Sequence, residues 1–273
     1  MRYALTVEYE GTRYGGFQYQ KNAPSIQEEI EKAISRFTGE SLRIKGAGRT
    51  DAGVHAKGQV VAFDSEVVQP TEVIVRALNH YLPDDIAVKE AHKVVEDFDP
   101  RRWATRRKYV YAIDCGATRS PLRRQTTYYL GQRLEVSEMA EAAELLEGVH
   151  DFSRFAGPLE DLTASTVREI FSTELREADE IVEIEVDGSA FLPHQVRRMA
   201  GALVDVGLGR LRIEDVQRLL DDENTTAIAR SLPPQGLCLV SVQYDKFDKL
   251  SEGKDNGNRN EPESNTGMAR RRR

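Results

Sequence analysis

The order of strand-like and helix-like segments predicts an α+β fold with mainly antiparallel sheets. Two observations carry this. Strands and helices alternate in each half of the chain, but without the regular strand–helix repeat of a doubly wound fold. The runs Tyr3 to Tyr9 and Val182 to Val186 also alternate apolar with polar residues, as half-buried strands do. At 273 residues and 40% apolar content, the chain is large enough for one big domain or two ordinary ones. We read an N-terminal α/β half over residues 1–103, a C-terminal α/β half over 104–248, and a polar tail over 249–273.

The elements follow in order. Tyr3, Leu5, Val7 and Tyr9 alternate with polar residues, giving a half-buried strand. A glycine-rich aromatic loop, residues 10–18, comes next. Ser25-Ile26-Gln27-Glu28 is a capping box, and it opens a helix whose Ile26, Ile30, Ala33, Ile34 and Phe37 share one face up to Gly39. Residues 41–45 and 59–63 read as strands, 71–79 as a helix ended by Pro83, and 86–91 as a weaker strand. In the second half, 108–114 and 126–130 read as strands. Residues 137–147 form a helix with Ala140, Ala143 and Leu146 inward. Two strands follow over 167–177 and 181–187. A helix then runs through Val206, with Pro193 in its first turn, another covers 212–220, and a last strand lies within 233–242.

No apolar run approaches the ~18 residues of a membrane span, and the start reads as a strand rather than a signal peptide. Cys115 and Cys238 fit no metal spacing. These features point to a cytoplasmic, reduced protein without structural zinc. Residues 249–273 are almost free of apolar side chains and end in four arginines, the composition of a disordered tail with a basic tip.

The overall charge is −7, yet residues 101–133 hold nine basic residues against Asp114 alone, a local net charge of +8. Trp103, Tyr109, Tyr111, Tyr128 and Tyr129 are interleaved with them. Cations for phosphates beside aromatics for bases suit an RNA surface.

The other conspicuous stretch is Gly46-Ala47-Gly48-Arg49-Thr50-Asp51-Ala52-Gly53-Val54-His55-Ala56-Lys57-Gly58. Its glycines let the chain turn sharply and come close to other surfaces, presenting Arg49 and Asp51 at strand ends. Spacing excludes a dinucleotide fingerprint, whose third glycine would fall at Asp51. It also excludes a P-loop, since Val54 follows Gly53. On chemistry alone, a surface turn capped by Asp51 is the commoner use of such a cluster.

Gly-Ala-Gly-Arg-Thr-Asp-Ala-Gly-Val-His-Ala resembles the signature of the tRNA pseudouridine synthase A family. Several further segments extend the resemblance over about residues 1–245. The loop ending Tyr14-Gly15-Gly16-Phe17-Gln18 is one, and Gly148-Val149-His150-Asp151-Phe152-Ser153-Arg154-Phe155 is another. Phe191-Leu192-Pro193-His194-Gln195-Val196-Arg197-Arg198-Met199 and the closing Pro233-to-Val242 run complete the set. Phe98-Asp99-Pro100-Arg101 departs mildly from the family's Phe-x-Ala-Arg, and Gln195 stands where methionine is usual, a change expected to affect packing.

The resemblance implies a pseudouridine synthase fold, two similar α/β halves whose sheets join across a central basic cleft. It implies isomerisation of uridine to pseudouridine in the tRNA anticodon stem-loop, at positions conventionally numbered 38 to 40, by a homodimer. Asp51 would be the essential aspartate, as nucleophile or as base; both remain open. Arg197 would pair with it, and Tyr109 would stack on the target base and assist proton transfer. Arg49 would reach a phosphate or fill the gap left by the flipped base, Arg101, Arg106, Arg107 and Lys108 would contact RNA, and Leu237 would wall the uracil pocket. His55 reads as structural. The reaction rearranges atoms and loses none, so no cofactor and no metal is expected. The competing reading is a catalytically silent tRNA-binding or folding protein on the same scaffold. A small-substrate hydrolase is weaker still, because it leaves the basic aromatic stretch unexplained.

Overall fold

A computed structural model describes residues 1–159, 163–221 and 227–245. The elements are β1 (Arg2–Tyr9), α1 (Ile26–Thr38), β2 (Lys45–Gly46), β3 (His55–Asp64), α2 (Thr71–Tyr81), β4 (Ile86–Val94), β5 (Arg106–Asp114) and β6 (Tyr128–Tyr129). After them come α3 (Val136–Glu144), β7 (Gly148–Asp151), β8 (Val167–Ala178), β9 (Ile181–Gly188), α4 (Gln195–Gly207), α5 (Ile213–Asp221) and β10 (Leu237–Gln243). The tail expected over residues 249–273 lies outside the described residues.

The strands form one sheet in the order β4-β1-β3-β10-β5-β9-β8-β7, with β2 beside β3 and β6 beside β5. Only the β3–β10 and β5–β6 pairs are parallel among the described residues, so the α+β, mainly antiparallel reading holds. The last strand in sequence sits at the centre. β10 joins β3 through Cys238 opposite His55 and joins β5 through Leu239 opposite Tyr109. Residues far apart in the chain therefore meet at its two flanks.

One continuous core lies on one face of the sheet. It gathers Tyr3, Leu5 and Val61 from one flank, Tyr111, Ile113 and Ile184 from the other, and the inward faces of all five helices. Ser25 caps α1 through the Glu28 N–H at 3.3 Å, and Ile26, Ile30 and Ile34 are buried as their spacing predicts. Each such side chain contributes roughly 1.5–3 kcal/mol of burial.

The opposite face is thinner. Ala4, Ala62, Val94 and Phe98 form a small cluster there, with Trp103 and Tyr244 packed against it. That cluster makes β1 buried on both faces over its first half, rather than half-buried throughout. Further along this face, Arg106 pairs with Asp187 at 2.9 Å and Lys108 with Glu185 at 2.6 Å.

Several local expectations need correction. Residues 41–44 are not strand, and β2 is only two residues long, because the chain pairs β3 at Ala62 and Val61 alone. β3 starts at His55, so the end of the glycine-rich stretch is sheet. The expected strand over 126–130 shrinks to β6. Met139, Ala142 and Ala143 form the buried face of α3, while Ala140 is only partly buried. Pro193 lies before α4, which begins at Gln195 behind a left-handed His194.

Candidate active site

The glycine-rich loop crosses the core side of the sheet where β3 and β10 meet. Two segments brace it. Phe17 donates its N–H to the Thr50 carbonyl at 3.1 Å, Gly53 donates to the Tyr14 carbonyl at 3.3 Å, and the Thr50 hydroxyl bonds the Tyr9 hydroxyl at 2.8 Å. Gly16, at φ 115, lets its backbone come within contact of Thr50, where a Cβ would sit 2.8 Å from the carbonyl oxygen. His55 ties the far end. Its Nδ1 accepts from Gly11 at 3.0 Å and its Nε2 lies 3.2 Å from the Gln235 carbonyl, a pattern that makes Nε2 the protonated nitrogen. The structural role read for His55 matches this geometry.

The loop holds Asp51 part-exposed, with Oδ2 3.0 Å from Arg197 Nη1. Arg197 is otherwise well buried and donates Nε to the Leu232 carbonyl at 2.7 Å. A guanidinium anchored on a backbone carbonyl fixes where its carboxylate partner's Oδ2 sits. The helix α4 supplies Arg197, and the same helix start supplies His194, whose Nε2 stands 3.6 Å from the same Oδ2. The residue reading gave His194 no role. Its signal was the left-handed backbone at φ 60, which only coordinates reveal; such a conformation costs a non-glycine residue about 1–2 kcal/mol.

Tyr109 lies on β5 with its side chain on the core face, buried and edge-on to Phe191 with ring centres 5.1 Å apart. Burial first, then the neighbouring Tyr9 and Asp51, push its phenol well above the ordinary tyrosine value. Leu237 is also buried and is paired with Tyr111, which puts it on the same sheet face as Tyr109. Asp51, Arg197, Tyr109 and Leu237 thus come from elements far apart in the chain to one side of the central strands.

The basic residues divide. Arg49 is exposed two residues before Asp51, and Arg101 is exposed beside the turn that precedes β5. Arg107 is not available for RNA. Its guanidinium is buried and donates to the carbonyls of Ser189 at 2.6 Å, Arg101 at 2.8 Å and Ala47 at 3.1 Å. Burial pulls its pKa below the ordinary arginine value. Arg106 and Lys108 alternate with Arg107 and Tyr109, so they project from the opposite face and are held by Asp187 and Glu185. A row of consecutive cations on a strand cannot serve one surface.

The sheet and the glycine-rich aspartate loop at its centre are those of an RNA-modifying isomerase of the pseudouridine synthase class. The family model described as tRNA pseudouridine synthase matches residues 5–101 and 142–245, and the chain belongs to that family. Relatives cover most of its length. The tRNA pseudouridine synthase A of Myxococcus xanthus is 46% identical over 245 residues, 89% of this chain and 92% of that one. Its counterpart in Geobacter sulfurreducens is 40% identical over 242 residues, 88% and 98%. Among solved structures, a chain of a Cbf5-Nop10-Gar1 complex aligns at 12% identity with a TM-score of 0.31, covering 74% of this chain and 54% of that one, too slight a likeness to bear on the site. Among the described residues, no helix is long and apolar enough to cross a membrane.

Proposed function

We propose that this chain isomerises uridine to pseudouridine at positions 38 to 40 of the tRNA anticodon stem-loop, with Asp51 as the carboxylate that acts at the ribose. The reaction breaks the bond from ribose C1′ to uracil N1 and forms one from C1′ to C5. The C5 proton leaves and N1 gains one, so atoms balance without a redox partner. Asp51, beside C1′, stabilises or traps the cationic character that develops as the first bond breaks. Arg197 anchors the carboxylate through Oδ2. Tyr109 offers a ring to the flipped base, and Leu237 an apolar wall that excludes water. Arg49 and Arg101 contact phosphates. In this reading the enzyme is a cytoplasmic homodimer, as the family resemblance implies.

The contact from Arg197 to Asp51, 3.0 Å across 146 residues of sequence, carries this proposal. A silent binding protein has no use for a part-buried ion pair held by a second bond to the backbone. The deciding experiment is tritium release from tRNA labelled with [5-³H]uridine, followed by site mapping. Wild type should release tritium and Asp51→Ala should not. Equal release by both would sink the assignment of Asp51, and binding without release by either would favour the silent binder.

A further inference from the structure

The turn that carries His194 is built with unusual care for a loop residue. Gln195, buried, accepts the Leu192 N–H on Oε1 at 2.8 Å, and its own N–H returns to the Leu192 carbonyl at 3.2 Å. This closed turn forces His194 into the left-handed region at φ 60. Beneath the ring lies Gly157, whose N–H donates to the Pro193 carbonyl at 2.7 Å. A Cβ on Gly157 would stand 2.9 Å from His194 Cγ and 3.0 Å from Nδ1, so the ring occupies the space a side chain would fill. What this arrangement achieves is to aim Nε2 at Asp51.

Arg197 and His194 both address Oδ2, at 3.0 Å and 3.6 Å. Oδ1 is the oxygen that neither covers. We propose that His194 is a positioning residue for Asp51, closing on Oδ2 when uridine enters so that Oδ1 faces the sugar. The 3.6 Å separation is longer than a hydrogen bond. Catalytic contacts that are long in the free enzyme commonly tighten once substrate is bound. A carboxylate held by Arg197 alone can still swing about that single contact, and a second donor from a different direction removes the swing. The inference rests on the reading of Asp51 as the reacting carboxylate.

Three variants test it, each measured by single-turnover pseudouridine formation on a tRNA transcript and by tRNA affinity. His194→Gly suits the φ 60 backbone, so it should melt within a few degrees of wild type. It should nevertheless lose between about 10- and 100-fold in rate, with tRNA affinity within about twofold. His194→Gln, whose amide can reach Oδ2, should recover most of the rate. Gly157→Ala leaves the imidazole present but displaced, and should lose rate as well. Wild-type rates in both His194→Gly and Gly157→Ala, with Asp51→Ala inactive, overturn the proposal while leaving Asp51 in place. If Asp51→Ala is active, the reading of the aspartate itself fails first. A loss of affinity that accounts for the whole loss of rate would make His194 an RNA contact instead, and that also overturns it.

Discussion

At the scale of single residues, burial and direction decide which of several similar side chains can act. Four consecutive residues of β5, Arg106 to Tyr109, divide between two faces of the sheet, and Arg107 is consumed by backbone carbonyls. Arg107→Ala should therefore destabilise the fold by roughly 2–4 kcal/mol, since it strands buried acceptors; chemical denaturation measures this. Arg101→Ala should leave stability alone and lower the salt dependence of tRNA binding by about one counterion. An unchanged slope would remove Arg101 from the RNA surface. Tyr109 has its phenol raised, chiefly by burial, so it stays neutral through the physiological range. In the proposed reaction its part is that of a stacking ring and a neutral proton donor or acceptor. The rate should accordingly be flat between about pH 7.5 and 9.5, whereas a phenolate base would make it climb tenfold per unit.

At the scale of elements, the caps and turns that place the site are separable from it. Ser25 holds the start of α1 by one side-chain bond. Ser25→Ala should cost about 1 kcal/mol in thermal or chemical unfolding and leave the rate per folded molecule unchanged. α4 is different, because its start carries His194 and Arg197, the two residues that stand against Asp51. Its middle is pressed against the strand-free segment before β10, where a Cβ on Gly201 would stand 1.9 Å from the Arg230 carbonyl oxygen. Gly201→Ala must shift that backbone or the helix, so it should cost stability and activity together, on the order of 1–3 kcal/mol. Activity lost without any change in melting would mean that the helix start moves independently of its middle.

At the scale of the whole molecule, β10 is the tie. It returns from the far end of the chain to lie between β3 and β5; His55 at the end of the aspartate loop and Tyr109 of β5 both register against it, and Leu237 is its own first residue. The same interior governs the response to alkali. Tyr9 is buried beneath the aspartate loop, and its pKa rises to about 12, mainly through burial. A group that holds its proton more tightly when folded contributes stability that is fully present below its unfolded pKa near ~10 and is lost as pH rises toward the folded value. Melting temperature should hold to about pH 10 and fall between there and about pH 12. Tyr9→Phe should soften that fall, and an identical fall in the variant would assign it to other groups.

Local chemistry is what the sequence by itself determined. The 3.6 period of α1 and its Ser25 cap, the alternation of β1, and the glycines that let residues 46–54 fold as a tight loop are all interactions within a few residues, so they are legible along the chain. Asp51 and Arg197 were legible only through their motifs, because no spacing relates residues 146 positions apart. Tertiary structure alone decided the rest. It put β10 in the centre of the sheet, hid Arg107, turned Arg106 and Lys108 to the opposite face, and brought His194 to Asp51. Each of those outcomes depends on which segments pack together, and a strand's two faces become inside and outside only once something covers one of them.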